Sequence, residues 1–344
     1  ELLDEITENQ AKKIKNLHIS GLDLVKYSQR YYPQSNLYSN LIGFVNYENK
    51  GSAGLELHLE NQIKVLNKSN LIKKGGDGTP LPDNSGPRDF INDYKSLGLT
   101  IDSRLQKATF KALSKQVMKW NAKKGFAIVM NVNNGEILSL ASIPSYDPNK
   151  YWDYDSEVFR GWYSQDLFEP GSTFKPINLA LALEEKVIQK DGLVEDSGRV
   201  NVGGWSLSNW DKKGNGYIEY PKVLQVSSNV GMVKIMQNLP PKTYWNWLNK
   251  LGINKRLETD LFESTAGQLK SKDIFVSQSI EPAVASFGKG FSISPLKLAQ
   301  LHAVLANGGS EIIPHVSLNF KAHLKNYSPK EIFSNEVSKT VLKW

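Results

Sequence analysis

Cysteine is absent from the 344 residues, and that one absence excludes disulfides, thiolate metal sites and a cysteine nucleophile. No stretch approaches the roughly 18 uninterrupted apolar residues of a membrane-spanning helix, and the opening ELLDEITENQAKKIKNLHIS lacks the pattern of a signal peptide. Histidine is scarce and scattered. His18, His58, His302, His315 and His323 lie in separate segments without H-x-x-x-H spacing or a carboxylate at metal spacing, so structural or surface roles account for them and no metal site is expected. G-x-S-x-G is missing too. Gly288-Lys289-Gly290 invites a phosphate-loop reading, yet the frame G-x-x-x-x-G-K-S/T is not met, which sets nucleotide binding aside. Nor does one charge dominate: 42 basic and 35 acidic residues give +7, interleaved with only short runs such as Lys123-Lys124 and Lys212-Lys213. Such a balance favours loose attraction to an anionic surface over the reading of nucleic acid.

What is present is a chain 40% hydrophobic, long enough to bury a sizeable core and to form more than one domain. Residues 74–87, KGGDGTPLPDNSGP, read as a surface loop or linker. The pattern changes after it, so a boundary near Leu97 divides the chain into 1–97 and 98–344. Asp102 is placed to cap a helix with Leu105, Ala108, Ala112, Gln116 and Trp120 on or near one stripe. Two strand-like runs follow, Phe126 to Val132 and Glu136 to Ala141, joined by the hairpin signal NNG. Helix, antiparallel hairpin and further helices make an α+β domain with helices packed on an antiparallel sheet.

Residues 169–185 read EPGSTFKPINLALALEE. Proline lacks an N–H and is tolerated only in a helix's first turn, so Pro176 makes the helix begin close to Ser172. Ser172 and Lys175 then share one face at its mouth. On spacing alone a cap beside a solvated lysine accounts for this as well as a reactive pair does, because S-x-x-K is a weak pattern. A second cluster, LQVSSNVGMVKIMQNLPP, sets Ser227, Ser228 and Asn229 ahead of a helix that Pro240-Pro241 ends, and by itself reads as simple capping. SFGKGFSISPLKLAQLHAVLANGG is a glycine-rich turn leading into a helix from near Pro295 to Asn307-Gly308-Gly309.

Together these weak signals become specific. S-x-x-K at Ser172–Lys175 followed by S-x-N at Ser227–Asn229 resembles the penicillin-binding proteins and serine β-lactamases. LTIDSRLQ, SIPSYDPN, EPGSTFKPINLA and SFGKGFSISPLKLA resemble class B penicillin-binding proteins of the division-specific type, and RYYP, LIGFVN and GSAGLE resemble the pedestal domain that precedes their transpeptidase domain. The family's third motif, K-T-G, is met only by Lys339-Thr340-Val341, which lacks the glycine and lies in a helix-like segment. Family spacing puts the true motif just beyond Trp344, so the chain is expected to be an internal fragment that also lacks the family's membrane anchor and is itself impaired.

The resemblance implies a penicillin-binding-protein/serine β-lactamase-like α+β fold, with an incomplete pedestal over 1–97 and a C-terminally incomplete transpeptidase domain over 98–344. It implies Ser172 as nucleophile, Lys175 as its base, Ser227 as proton relay and Asn229 as a holder of substrate backbone, with no cofactor. The implied reaction is D,D-transpeptidation of peptidoglycan stem peptides through a Ser172 acyl-enzyme during septal synthesis, with covalent binding of β-lactams. A non-catalytic divisome scaffold or penicillin sensor, or a β-lactamase-like hydrolase, stands as the alternative. Implied partners are D-Ala-D-Ala donors, amine acceptors, a membrane glycan polymerase and other divisome proteins. The implied place is the cytoplasmic membrane, single-pass anchored, with the catalytic domain outside the cytosol.

Overall fold

The structure, a computed structural model, describes residues 6–22, 24, 29–63, 96–261, 264–320 and 327–344; the Gly/Pro-rich stretch 74–87 lies outside them. The chain forms two compact units, Glu1–Pro33 and Gln34–Trp344. In the first, helix α1 (Glu8–Lys15) opens on a capping box in which the Thr7 hydroxyl and the Gln10 side chain each meet the other's backbone N–H.

The second unit begins with short helical segments, Ser35–Tyr38, Ser39–Ile42, Gly54–His58 and Glu60–Ile63. Helix α2 (Ser103–Lys119) is capped by Asp102, whose carboxylate accepts from Arg104 N at 2.9 Å and Leu105 N at 3.0 Å. Strands β1 (Gly125–Met130) and β2 (Ile137–Ile143) pair antiparallel across the NNG turn. The α2 stripe read from sequence is out of phase. Ala108, Ala112, Gln116 and Trp120 face solvent, while Gln106, Phe110, Leu113 and Val117 turn inward. Larger apolar side chains outcompete alanines for the buried face. Gln106 accounts for the rest: fully buried, it donates to Leu37 O and Leu140 O and accepts from Ser139 Oγ and Leu140 N.

Helix α3 (Lys175–Glu184) runs through the centre of the larger core. It is enclosed on nearly every side, and its buried residues are apolar except for Lys175 and Asn178. Around it stand α5 (Asn229–Met236), α6 (Pro241–Lys250), α7 (Pro295–Ala306) and α8 (Asn335–Lys343). Between α3 and α5 the chain makes two small antiparallel sheets. One pairs β3 (Leu193–Asp196) with β6 (Gly216–Glu219); the other pairs β4 (Arg199–Val202) with β5 (Trp205–Ser208). Helix α4 (Tyr220–Gln225) follows β6.

One expectation changes in detail, and one is met. α5 ends at Met236 with Gln237 as its C-cap, and Pro241 starts α6 instead of stopping α5. That is proline's favoured place, since the first-turn N–H has no helical partner. Lys339-Thr340-Val341 lies within α8, where the Thr340 hydroxyl donates to Glu336 O at 2.8 Å. It therefore cannot act as a K-T-G strand.

Candidate active site

The site begins at the turn Gly171–Phe174, a short 3-10 segment that runs into α3. Pro176 falls in the first turn of α3, as its missing N–H requires. Ser172 is thereby left exposed at the mouth, while Lys175, three residues on, is only 1% exposed beneath it. A lysine so placed must find acceptors inside the protein. Lys175 Nζ donates to Ser227 O at 2.6 Å, to Asn229 Oδ1 at 2.9 Å and to Ser227 Oγ at 3.1 Å. Ser227 Oγ in turn donates to Ser172 Oγ at 3.0 Å. All four residues singled out in the sequence thus meet, and the recorded hydrogen bonds join Lys175 to Ser172 through Ser227.

Burial lowers the Lys175 ammonium from its ordinary 10.5 to about 8, against the opposing pull of the Asp196 carboxylate. A measurable neutral fraction therefore exists near neutral pH. The neutral amine has the lone pair that a proton acceptor needs.

The backbone around Ser227 separates it from the cap next door. Ser227 sits at φ +54, in the left-handed region that favours glycine. It ends α4 in a Schellman turn, with Ser227 N donating to Leu224 O and Ser228 N to Val223 O. Ser228 is the N-cap of α5, its hydroxyl accepting from Gly231 N at 2.8 Å. Simple capping thus describes Ser228, whereas Ser227 holds a strained position with its hydroxyl directed at Ser172.

The G-K-G turn also finds a physical role. Gly171 N donates to Gly288 O at 2.8 Å, and a Cβ on Gly288 would stand 2.1 Å from Gly171 O, at φ +78. No phosphate cradle is involved: the glycine lets this turn press on the one that carries Ser172. Fully buried Asn178 of α3 anchors the approach, donating to Ala285 O and Ser286 O and accepting from Tyr244. Glu169 accepts from Gly290 N at 2.8 Å. A left-handed non-glycine residue costs about 1–3 kcal/mol even before the clash. Gly288→Ala is therefore expected to lower the thermal midpoint, read by thermal unfolding of variant and parent side by side.

Sequence reasoning missed Asn209 and Asp196. Asn209, 4% exposed, accepts from Asn229 N at 2.9 Å and Val230 N at 3.1 Å, and Asn229 Nδ2 reaches Ser208 O at 3.1 Å. In sequence, SLSNWD and VEDSG look like ordinary turns.

Residues 125–343 match the model of the penicillin binding protein transpeptidase domain. The chain belongs to the penicillin-binding protein transpeptidase family. It is 39% identical to the peptidoglycan D,D-transpeptidase FtsI homolog of Chlorokybus atmophyticus, over 92% of this chain and 48% of that protein. It is 30% identical to peptidoglycan D,D-transpeptidase FtsI of Escherichia coli, over 90% of this chain and 51% of that protein. The chain thus spans about half the length of the curated relatives it matches. Among solved structures, penicillin-binding protein 3 of Mycobacterium tuberculosis, complexed with aztreonam, superposes with a TM-score of 0.73 at 20% identity, covering 91% of this chain and 67% of that one. That likeness establishes the α+β transpeptidase fold. In this transpeptidase domain no helix of the described residues is long and apolar enough to cross a membrane, and among them no cluster of metal-ligating side chains occurs.

Proposed function

We propose that this chain carries the acyl-transfer centre of a serine D,D-transpeptidase that cross-links peptidoglycan stem peptides in septal wall synthesis. The observation that carries the proposal is the line from buried Lys175 Nζ through Ser227 Oγ to exposed Ser172 Oγ. Ser172 Oγ attacks the carbonyl carbon of the penultimate D-alanine. Its proton passes to Ser227 Oγ, whose own proton passes to neutral Lys175. Collapse of the tetrahedral intermediate breaks the amide bond, and the departing D-alanine amine takes a proton back along the same path. An amine of a neighbouring stem peptide then attacks the Ser172 ester and gives up a proton to Ser227 and Lys175; the bond from Ser172 Oγ to the acyl carbon breaks, Ser172 Oγ takes a proton back along the same path, and the new amide leaves. The Ser172 N–H, at a helix start, is one donor for the oxyanion. Asn229, with one amide N–H on Ser208, offers the other to the substrate backbone.

A β-lactam enters as a mimic of the donor and leaves Ser172 acylated. Residues 1–97 are assigned to part of a pedestal domain, with the boundary near Leu97 and 98–344 as the transpeptidase domain. In the cell the whole protein is placed at the cytoplasmic membrane with Ser172 outside the cytosol, beside a membrane glycan polymerase and other division proteins. The placement follows from the peptidoglycan substrate that the relatives' names carry.

The test is to give the full-length protein a D-Ala-D-Ala donor and an amine acceptor. D-alanine release matched by cross-linked product is expected. Rapid penicillin hydrolysis without cross-linking would make it a lactamase-like hydrolase, and a stable penicilloyl adduct without D-alanine release a binding module. Ser227 and Ser228 supply an internal check. Ser227→Gly removes the hydroxyl but relieves a left-handed residue worth about 1–2 kcal/mol. It should unfold no earlier than the parent yet acylate about 10²-fold or more slower. Ser228→Ala should lose about 1 kcal/mol of stability, the value of a cap, with the smaller rate loss.

A further inference from the structure

We infer that Asp196 and Asn209 are positioning residues that hold the S-x-N turn in register with Lys175 and Ser172. The inference rests on the acyl-transfer reading above and adds residues that lie outside the sequence motifs. Asp196 closes β3 and is fully buried. Its carboxylate accepts from Gly198 N at 3.0 Å, from Asn209 Nδ2 at 2.8 and 2.9 Å, and from Asn215 Nδ2 at 2.6 Å. These donors outweigh burial, which alone would raise the carboxyl, and keep it below its ordinary value, hence ionised.

An ionised carboxylate only accepts hydrogen bonds, so it dictates which way the Asn209 amide turns. The NH2 group faces Asp196 and Lys213 O, and Oδ1 faces Ser228 Oγ, Asn229 N and Val230 N. Turned over, the amide would set oxygen against carboxylate and N–H against N–H. Oδ1 thus satisfies first-turn N–H groups of α5 that no helical partner reaches. The chain of contacts then runs from Asn229 N to its own Oδ1, which Lys175 holds. Neither Asp196 nor Asn209 belongs to the Lys175–Ser227–Ser172 line. They act by fixing the residues that do.

The charge adds a second effect. Several helices with charged groups pack round α3. On α5, Lys234 is paired with Glu195 at 2.7 Å. On α7, Lys297 is bound to Gln300 and His302 contacts Thr173 O. α8 carries Glu336, Lys339 and Lys343, and α3's own Glu184 accepts from Ser334. The Asp196 carboxylate favours the Lys175 ammonium and so opposes the effect of burial.

The experiment measures penicillin acylation against pH in the full-length protein and in Asp196→Asn, Asn209→Ala and Ser172→Ala. A misplacement of about 1 Å at a reacting centre costs on the order of 10²-fold. Both Asp196→Asn and Asn209→Ala should therefore slow the high-pH plateau tenfold or more. Only Asp196→Asn should also move the Lys175 limb below its parental position near 8, because the anion that favoured the ammonium is gone. A purely structural pair would leave that limb where it was. Should Asp196→Asn fail to fold, Asn209→Ala decides by its rate, and acylation at the parental rate overturns the inference. Persistent labelling of Ser172→Ala would instead overturn the acyl-transfer reading itself, so the two failures are distinguishable.

Discussion

Alanine in place of Lys175 is expected to slow acylation by penicillin about 10²- to 10⁴-fold, the range for removing a positioned proton acceptor. The lysine is buried, its amine meets Ser227 Oγ at 3.1 Å, and its pKa is pulled down to about 8. The parental rate should consequently rise with pH through about 8 and level off above it, as the neutral amine accumulates. Lys175→Arg is the sharper version, since guanidinium keeps the charge but cannot give up its proton. It should be as slow as alanine, and an arginine variant acylating at the parental rate would refute the base role. Stability carries the same signature. The unfolded chain holds this proton up to about 10.5 and the folded chain only to about 8, so the unfolded state binds more protons between those values. Relative to Lys175→Ala, the parent should become more stable as pH rises through that window, a trend read by denaturant titration at several pH values.

Ser172→Ala is expected to remove covalent penicillin labelling and to bring D-alanine release to background. No other described hydroxyl combines exposure at the mouth with a hydrogen bond to Ser227. The side chain is exposed, so thermal stability should stay within about 0.5 kcal/mol of the parent. Residues that act as one unit give non-additive losses. The Ser172→Ala/Lys175→Ala double variant should therefore release D-alanine no more slowly than Ser172→Ala alone. D-alanine release by Ser172→Ala above background that is lost in the double variant would mean that Lys175 serves a reaction other than Ser172's.

Local rules made much of this legible from sequence. Asp102 announced the start of α2, the NNG turn announced the β1–β2 hairpin, and Pro176 placed the mouth of α3 at Ser172. Each signal depends on the chain within a few residues of itself. Where the outcome depended on what lay across the fold, sequence was less informative. The buried face of α2 was decided by Gln106 reaching Leu37 and β2, a contact that no periodicity contains. Ser227 and Ser228 were indistinguishable as cap residues until the left-handed φ of Ser227 and the Gly231 contact of Ser228 separated them. Gly288 looked like a fragment of a phosphate loop because its real partner, Gly171, is remote in sequence. Asp196 and Asn209 carried no signal, because an acidic residue ending a strand and an asparagine in a turn are ordinary. Their meaning lies in the six donor and acceptor atoms that the fold brings to one amide.

The central claim is that Ser172 becomes covalently bound with Lys175 and Ser227 managing its proton. Mass spectrometry of the full-length protein after brief exposure to penicillin at pH 9 and pH 7 addresses it directly. A single penicilloyl adduct on the peptide containing Ser172 is predicted, formed faster at pH 9 and abolished in Ser172→Ala. An adduct on any other residue, or one on Ser172 whose rate ignores pH across the Lys175 titration, would contradict it.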